Sequence, residues 1–337
     1  MDAQRPLISI VVLNYNGTGF LENCLESVFR SDYSNFEVIL VDNNSTDESI
    51  KSAVRKFGMD ARLRIIRNSS NLLYAGGNNV GIRQARGEYA VVLNNDTEVE
   101  QNWLKEIALV MQQDDTIGAA QPKILRFGYF PPRIDYIGGN LDRYGYAEGR
   151  SRGEVDSERF DKAEEIFYAG GAAMVLRKRL LDDVGLFDEK FGAHWEDTDL
   201  SWRIRLRGYK VMVVPKAVVY HKGSLTMSRF VKRHDVAWCI RKNRIAGLIQ
   251  NYSGKNLIIC LPVLLISYIV LFFKEAIFDK NIKIALSSVS AIIWNIKKLP
   301  DILKQRRFVQ NRIRCVSDKN IVSLMNKGFI ALHFLKG

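Results

Sequence analysis

The chain has 337 residues, 47% of them apolar and 26% charged, which excludes a disordered chain and leaves room for one large domain with an appendage or two modest domains. Net charge is +12, unevenly placed: from Lys216 onward 22 Lys and Arg face 5 Asp and Glu, whereas residues 1–215 hold 27 against 32. Four distant cysteines (Cys24, Cys239, Cys260, Cys315) with no CxxC pair exclude a zinc spacing and a disulfide framework, and fit reduced thiols.

The opening MDAQRPLISIVVLNYN lacks the basic-then-apolar order of a signal peptide, so the catalytic part is expected to stay in the cytoplasm. LISIVVL (7–13) reads as a strand broken by Asn14-Tyr15-Asn16-Gly17, and helical periodicity follows over 19–30. FEVILV (36–41) is a second strand, ending in Asp42-Asn43-Asn44-Ser45-Thr46-Asp47, with a helix over 47–57. RLRIIRN (62–68) and AVVLNND (90–96) are further strands. Strands alternating with helices predict a parallel sheet covered on both faces, with ligands outside the carboxyl ends of its strands. Three strands end in Asn/Asp clusters, so those polar groups share one edge, a binding cleft. The first strand is not followed by GxGxxG, which removes the main signal of a dinucleotide-dependent dehydrogenase. Residues 126–161, rich in Gly, Tyr and Arg, read as a long, partly mobile loop. EIFYAGGAAMVLRKRLLDDVGLF then predicts a strand and a helix, and GYKVMVVP (208–215) another strand.

Asp42 reads either as a helix cap or as a ligand-binding carboxylate, and Asn94-Asn95-Asp96 has the same two readings. In FDEKFGAHWEDTDLSWRIRLRGYKV (187–211), Glu196, Asp197 and Asp199 precede a helical pattern. The helix dipole favours acids there and keeps a carboxylate ionised, as a general base requires. Trp195 offers a flat apolar face of the kind that stacks on a sugar ring. His221 is either structural or, if Asp96 holds a metal, a second ligand suited to Mn²⁺ or Mg²⁺ on a diphosphate.

The ordered strings ISIVVLNYNG, VILVDNNSTDES, NLLYAGGNNVGI, VVLNNDTEV, AGGAAMVLRK, FDEKFGAHWEDTDLSWRIRLRGY and VVYHKGS resemble the family 2 glycosyltransferases, nearest the rhamnosyltransferase-like branch that builds surface polysaccharides. The resemblance runs over residues 7–230. It implies an α/β GT-A fold, a dTDP- or UDP-linked sugar donor, a divalent metal (Mn²⁺ or Mg²⁺) and an inverting displacement. It further implies that Asp42 binds the pyrimidine, with Asn14 and Asn44 nearby and Asn71, Gly76, Gly77 and Asn78 completing the nucleoside pocket. Asn94-Asn95-Asp96 stands where the family has Asp-x-Asp, with Asn94 replacing the first acid, so Asp96 would hold the metal with His221. Gly170 and Gly171 match a glycine pair that admits the acceptor, and Asp197 matches the base, with Glu196 as its substitute.

In the tail, LIICLPVLLISYIVLFF (257–273) is just long enough to span a bilayer. IALSSVSAIIWNI (284–296) follows, and then the basic KKLPDILKQRRFVQNRIR (297–314). A single span would set that basic end outside, against the positive-inside tendency. Interfacial helices on an anionic membrane surface are preferred, with a shallow hairpin, a buried helical subdomain and a homodimer contact as alternatives. Nucleic acid is not the expected partner, because the basic residues interleave with aliphatic runs. The expected layout is a GT-A domain over 1–235 and a helical membrane-associating region over 236–337. The expected function is sugar transfer to a lipid-linked oligosaccharide acceptor at the cytoplasmic face of the membrane. A polyprenyl-phosphate acceptor and a degenerate nucleotide-sugar-binding protein are the alternatives.

Overall fold

The computed structural model describes residues 5–223 and 231–328; the last residue of VVYHKGS and the stretch to 230 lie outside them, as do 329–337. Strands β1 (Ile8–Asn14), β2 (Phe36–Asp42), β3 (Leu63–Arg67) and β4 (Tyr89–Asn94) are parallel, in the spatial order β3-β2-β1-β4. Helices α1 (Leu21–Phe29), α2 (Ser49–Phe57) and α3 (Leu73–Gln84) cover them. Alternate residues of β1 serve opposite faces, as the period of two requires. Ile8, Ile10 and Val12 join Cys24, Leu25 and Val28 of α1 in one core. Val11 joins Ala75 and Ile82 of α3 in the other.

The glycines of α3 explain how closely it approaches the sheet. A Cβ on Gly77 would lie 2.4 Å from Leu13 Cδ1, and one on Gly81 2.3 Å from Val11 Cγ1. Positions four apart share a helix face, so both glycines admit the sheet's side chains, outweighing the roughly 1 kcal/mol each costs in a helix.

Beyond β4 the sheet becomes mixed. After β5 (Thr97–Val99), α4 (Trp103–Gln113) and β6 (Ile117–Arg126) come β7 (Ile134–Tyr136), β8 (Gly139–Leu141) and β9 (Ala147–Gly149). β7 pairs with β6, and β8 with β9. The 126–161 segment, expected as a long, partly mobile loop, thus carries β7 and the β8–β9 hairpin, and its Leu141 and Tyr146 are buried in the main core. β10 (Ala173–Arg177) inserts antiparallel between β4 and β6. The short α5 (Leu181–Val184), α6 (Glu196–Leu206) and β11 (Lys210–His221) follow. β11 lies parallel to β6 and antiparallel to β5.

The C-terminal helices are α7 (Arg233–Asn251), α8 (Gly254–Phe273, extended by a π-helical turn Lys274–Phe278), α9 (Ile282–Lys297), α10 (Leu299–Phe308) and α11 (Asp318–Ser323). Leu248, Tyr252, Leu264, Ile302 and Val309 share one apolar core with Trp195, Trp202 and Met174. The helices are thus packed into the catalytic half. α8 turns Cys260, Leu264, Tyr268 and Leu271 inward and leaves Ile266, Ile269 and Phe273 at 54–59% exposure on its opposite face.

Candidate active site

The register places Asn14 beside Asp42, and Leu13 beside Asn94, so three strand ends do meet at one edge. Their side chains divide the work differently from the expectation. Asn14 is fully buried; its Oδ1 accepts from Asn95 Nδ2 (2.7 Å), and its Nδ2 donates to Ser45 (3.1 Å) and Ser49 (2.9 Å). Asn14 and Asn95 therefore brace the edge, because their amides are engaged within it. Asp42 Oδ1 accepts from the backbone N–H of Ser45 at 3.0 Å, the capping-type contact. Asn44, at φ +66°, and Asn71 stand exposed on the loops around it. Asn43, missed from the sequence, ties those loops together: Nδ2 donates to Asn71 Oδ1 (2.7 Å), and Oδ1 accepts from Asn68 (3.1 Å) and Leu72 (3.0 Å). Gly76, Gly77 and Asn78 sit inside α3, where the helix packs on β1, and Asn78 Nδ2 donates to Tyr74 O at 3.0 Å. Gly76 and Gly77 have no side chain to offer a nucleoside, and that of Asn78 is buried.

α6 begins from a strained turn. His194 (φ +65°) and Trp195 (φ +75°) both lie in the left-handed region, which costs of order 1–3 kcal/mol per non-glycine residue. α7 holds the turn. Asn243 Nδ2 lies within hydrogen-bond reach of the carbonyls of Phe191 (3.0 Å), Ala193 (3.1 Å) and His194, and Lys242 Nζ fixes its Oδ1 at 2.6 Å. Trp195 Nε1 donates to Gly145 O at 3.2 Å. The indole, 5% exposed, packs near Phe191 and Trp202. Trp195, expected to offer a sugar-stacking face, stands in the cavity wall with its indole mostly buried, and it seats the turn.

The turn aims Asp197 into the cleft. Its Oδ2 accepts from Gly171 N (3.0 Å), and its Oδ1 from Thr198 N (2.7 Å) and Thr198 Oγ1 (3.3 Å). Burial pushes the Asp197 carboxyl above its ordinary value, against the pull of those donors. Glu196 is held well above the carboxylate range, by burial first and then by the charge of Asp197. Its Oε2 has no hydrogen-bond partner. Of the pair, Asp197 is the carboxylate met by donors on both oxygens, whereas Glu196 Oε2 meets none. Gly170 and Gly171 line the cleft, but ring contacts account for their lack of a side chain: a Cβ would lie 2.6 Å from the Tyr136 ring and 2.5 Å from Tyr74 Oη respectively.

Asp96 and His221 come together, with Oδ1 3.4 Å from Nε2. On the far side of the imidazole, Nδ1 lies 2.7 Å from Asp135 Oδ2. Asp135 was missed because a lone acid in a Gly/Tyr-rich segment carries no sequence signal. Burial opposes protonation of His221, but the hydrogen bonds and charges of Asp135 and Asp96 prevail and raise it to about 9. Among the described residues no three His, Cys, Asp or Glu side chains form an ion cage. The donor set still fits a divalent ion shared with a substrate: carboxylate and imidazole on one side, with a carboxylate behind the imidazole to orient it.

A cavity of about 610 Å³ joins these groups. His221 and Asp135 stand in its wall with Asp197 and Glu196, and α7 and α8 contribute Arg241, Arg244 and Leu271.

The sequence matches glycosyl transferase family 2 over residues 9–185, just over half of the chain. It is 29% identical over 231 residues to an uncharacterised protein, y4gI, of Sinorhizobium fredii, covering 65% of this chain and 25% of that one. It is 28% identical over 229 residues to the O-antigen biosynthesis protein RfbC of Myxococcus xanthus, covering 65% and 17%. Identity is 25% over 235 residues to a dolichyl N-acetylglucosaminyl phosphate diacetamido-dideoxy-glucuronosyltransferase of Methanococcus voltae, covering 67% and 70%. The chain spans only 25–36% of the length of the first three curated relatives it matches. In fold it is similar to GalNAc-T7 with UDP, GalNAc and Mn²⁺ (TM-score 0.66, 17% identity, 96% of this chain and 57% of that one). It is also similar to the mannosyltransferase PcManGT of Pyrobaculum calidifontis with GDP-Man and Mn²⁺ (TM-score 0.51, 16% identity, 91% and 86%). These likenesses show a GT-A fold. Its architecture and its matched strings place the chain in glycosyl transferase family 2.

Proposed function

We propose that this protein transfers a sugar, with inversion, from a nucleotide-diphosphate donor to a hydroxyl of a lipid-linked glycan in surface polysaccharide synthesis. The observation that carries the reading is Asp197, presented at the cavity by a braced, strained turn and held by the backbone of Gly171. Relatives named for O-antigen and lipid-linked glycan synthesis support the pathway class, and the motif resemblance supports rhamnose as the sugar. The donor's nucleoside would lie over the edge formed by Asp42, Asn44 and Asn71, with its diphosphate toward Asn94 and Asp96.

Asp197 takes the proton of the acceptor hydroxyl as that oxygen bonds to the anomeric carbon, and the bond from that carbon to the diphosphate oxygen breaks on the opposite face. Glu196, its carboxyl pushed well up by burial and by the charge of Asp197, is the less suited of the two to act as base. Mn²⁺ or Mg²⁺ held by Asp96 and His221 would supply Lewis-acid stabilisation of the leaving diphosphate. With Asn94 in place of an acid, the site carries one negative charge fewer than the family pattern, so metal should bind more weakly. The outer apolar faces of α8 and α9, flanked by exposed Lys297, Lys298 and Lys304, would rest in an anionic membrane interface. Gly254–Phe278 is long and apolar enough to cross a bilayer, but its inward face is committed to the protein core. That favours peripheral attachment over a span.

Turnover of dTDP-, UDP- and GDP-sugars with and without Mn²⁺ tests the reading. Metal-stimulated release of nucleoside diphosphate supports it. Binding of donors without any turnover would leave a nucleotide-sugar-binding protein in its place.

A further inference from the structure

Four Lys or Arg side chains line the cavity, and three are matched by acids. Arg152 lies 3.4 Å from Asp135, Arg241 bonds Glu275, and Lys274 lies 3.6 Å from Asp279. Arg244 alone among them has no carboxylate within salt-bridge distance among the described residues. It is 7% exposed, its Nε has no hydrogen-bond partner, and its guanidinium lies 3.7 Å over the ring of Tyr146. A desolvated guanidinium without an anion is costly unless a ligand supplies one. Stacking on Tyr146, with Tyr268 beside it as a hydrogen-bond partner, fixes its plane, and a planar guanidinium so held suits phosphoryl oxygens. The same wall continues to Leu271 of α8, whose neighbours Val270 and Phe273 are 46% and 54% exposed.

We infer that Arg244 binds a phosphoryl group of the acceptor, a lipid-borne phosphate whose chain leaves the cavity past Leu271 onto the apolar face of α8. This rests on the transfer reading above, with the donor's diphosphate held elsewhere, toward Asp96. Arg244 would then set which acceptors are used, by requiring the phosphate that joins glycan to lipid.

Calorimetry on the full chain in detergent tests this with the donor site filled by UDP. The probes are farnesyl diphosphate, farnesol and inorganic pyrophosphate, against wild type, Arg244→Gln and Arg244→Lys. Farnesyl diphosphate should bind wild type, weaken about tenfold or more in Arg244→Gln, as loss of a charge-assisted bond implies, and recover in part in Arg244→Lys. Farnesol should bind all three alike, and pyrophosphate more weakly than its farnesyl ester. The inference is overturned if wild type binds no phosphorylated probe, if farnesyl diphosphate ignores both substitutions, or if pyrophosphate matches it. It is overturned equally if the substitutions weaken UDP itself, since Arg244 would then serve the donor. Should Arg244→Gln unfold, Arg244→Lys against farnesol decides. No turnover is needed, so a failed base assignment at Asp197 leaves this result standing. UDP binding to wild type reports on the donor reading separately.

Discussion

Gly247 of α7 lies directly under the indole of Trp195: a Cβ on Gly247 would fall 1.8 Å from Cζ3 of that ring. The contact joins the C-terminal helices to the turn that presents Asp197 to the cavity. Gly247→Ala must therefore move Trp195 or the helix. Overpacking of this kind costs about 1–3 kcal/mol, and donor turnover should fall with it because the turn is displaced. A thermal melt and a turnover assay on the same preparation check this; unchanged values in both would mean that α7 does not position the site.

Asn243 works on the same turn through hydrogen bonds. Asn243→Ala strips the side-chain donor from the part-buried carbonyls of Ala193 and His194, while Phe191 O keeps Lys242 Nζ, at up to about 1–3 kcal/mol for each group stranded. Turnover should fall while UDP affinity in calorimetry stays near wild type. A loss confined to UDP affinity would contradict a positioning role.

Thr198 offers a pH test. Asp197 must be ionised to accept a proton, so turnover falls as pH drops through its raised pKa. Thr198 Oγ1 donates to the carboxylate at 3.3 Å and pulls that pKa down. Thr198→Val removes this donor and keeps the backbone one, so the acid limb of the pH–rate profile should move to higher pH. A limb that stays or moves lower would separate Asp197 from the rate.

Glu196 is the competing candidate for the base. Burial and the charge of Asp197 push its carboxyl well above the ordinary value, so the neutral, isosteric Glu196→Gln changes little. It should retain more than about a tenth of wild-type turnover, against the 10²–10⁴-fold loss typical of a removed base. A loss in that larger range would move the base to Glu196.

Much of this was readable in the chain. The runs ISIVVL, FEVILVD and YAVVLN are mostly apolar because helices bury both their faces, with Ser9 and Glu37 satisfying each other inside, and their polar ends meet because parallel pairing brings Asn14, Asp42 and Asn94 to one edge. What stayed hidden depends on partners distant in sequence. Arg241-Lys242-Asn243-Arg244 looks like a solvated charge run, yet all four are buried. Arg241 is matched by Ser287 and Glu275, and Asn243 by the turn before α6. Asp135 gains meaning only beside His221, and the amide of Asn14 looked available until Asn95, Ser45 and Ser49 claimed it.

Membrane attachment should depend on the outward face of α8. Replacing Ile266, Ile269 and Phe273 with Ser removes exposed apolar groups without touching the inward face. At about 0.8 kcal/mol per immersed CH₂, the triple variant should lose most sedimentation with anionic vesicles. Donor turnover in detergent should persist. Equal vesicle binding by both proteins would place the attachment elsewhere.

The most direct measurement is donor turnover and UDP affinity of Asp197→Asn beside wild type. The amide keeps the shape of the carboxylate but cannot take a proton. A base assignment requires turnover to fall about 10²–10⁴-fold with UDP affinity nearly unchanged. Retention of more than half the wild-type turnover would contradict it.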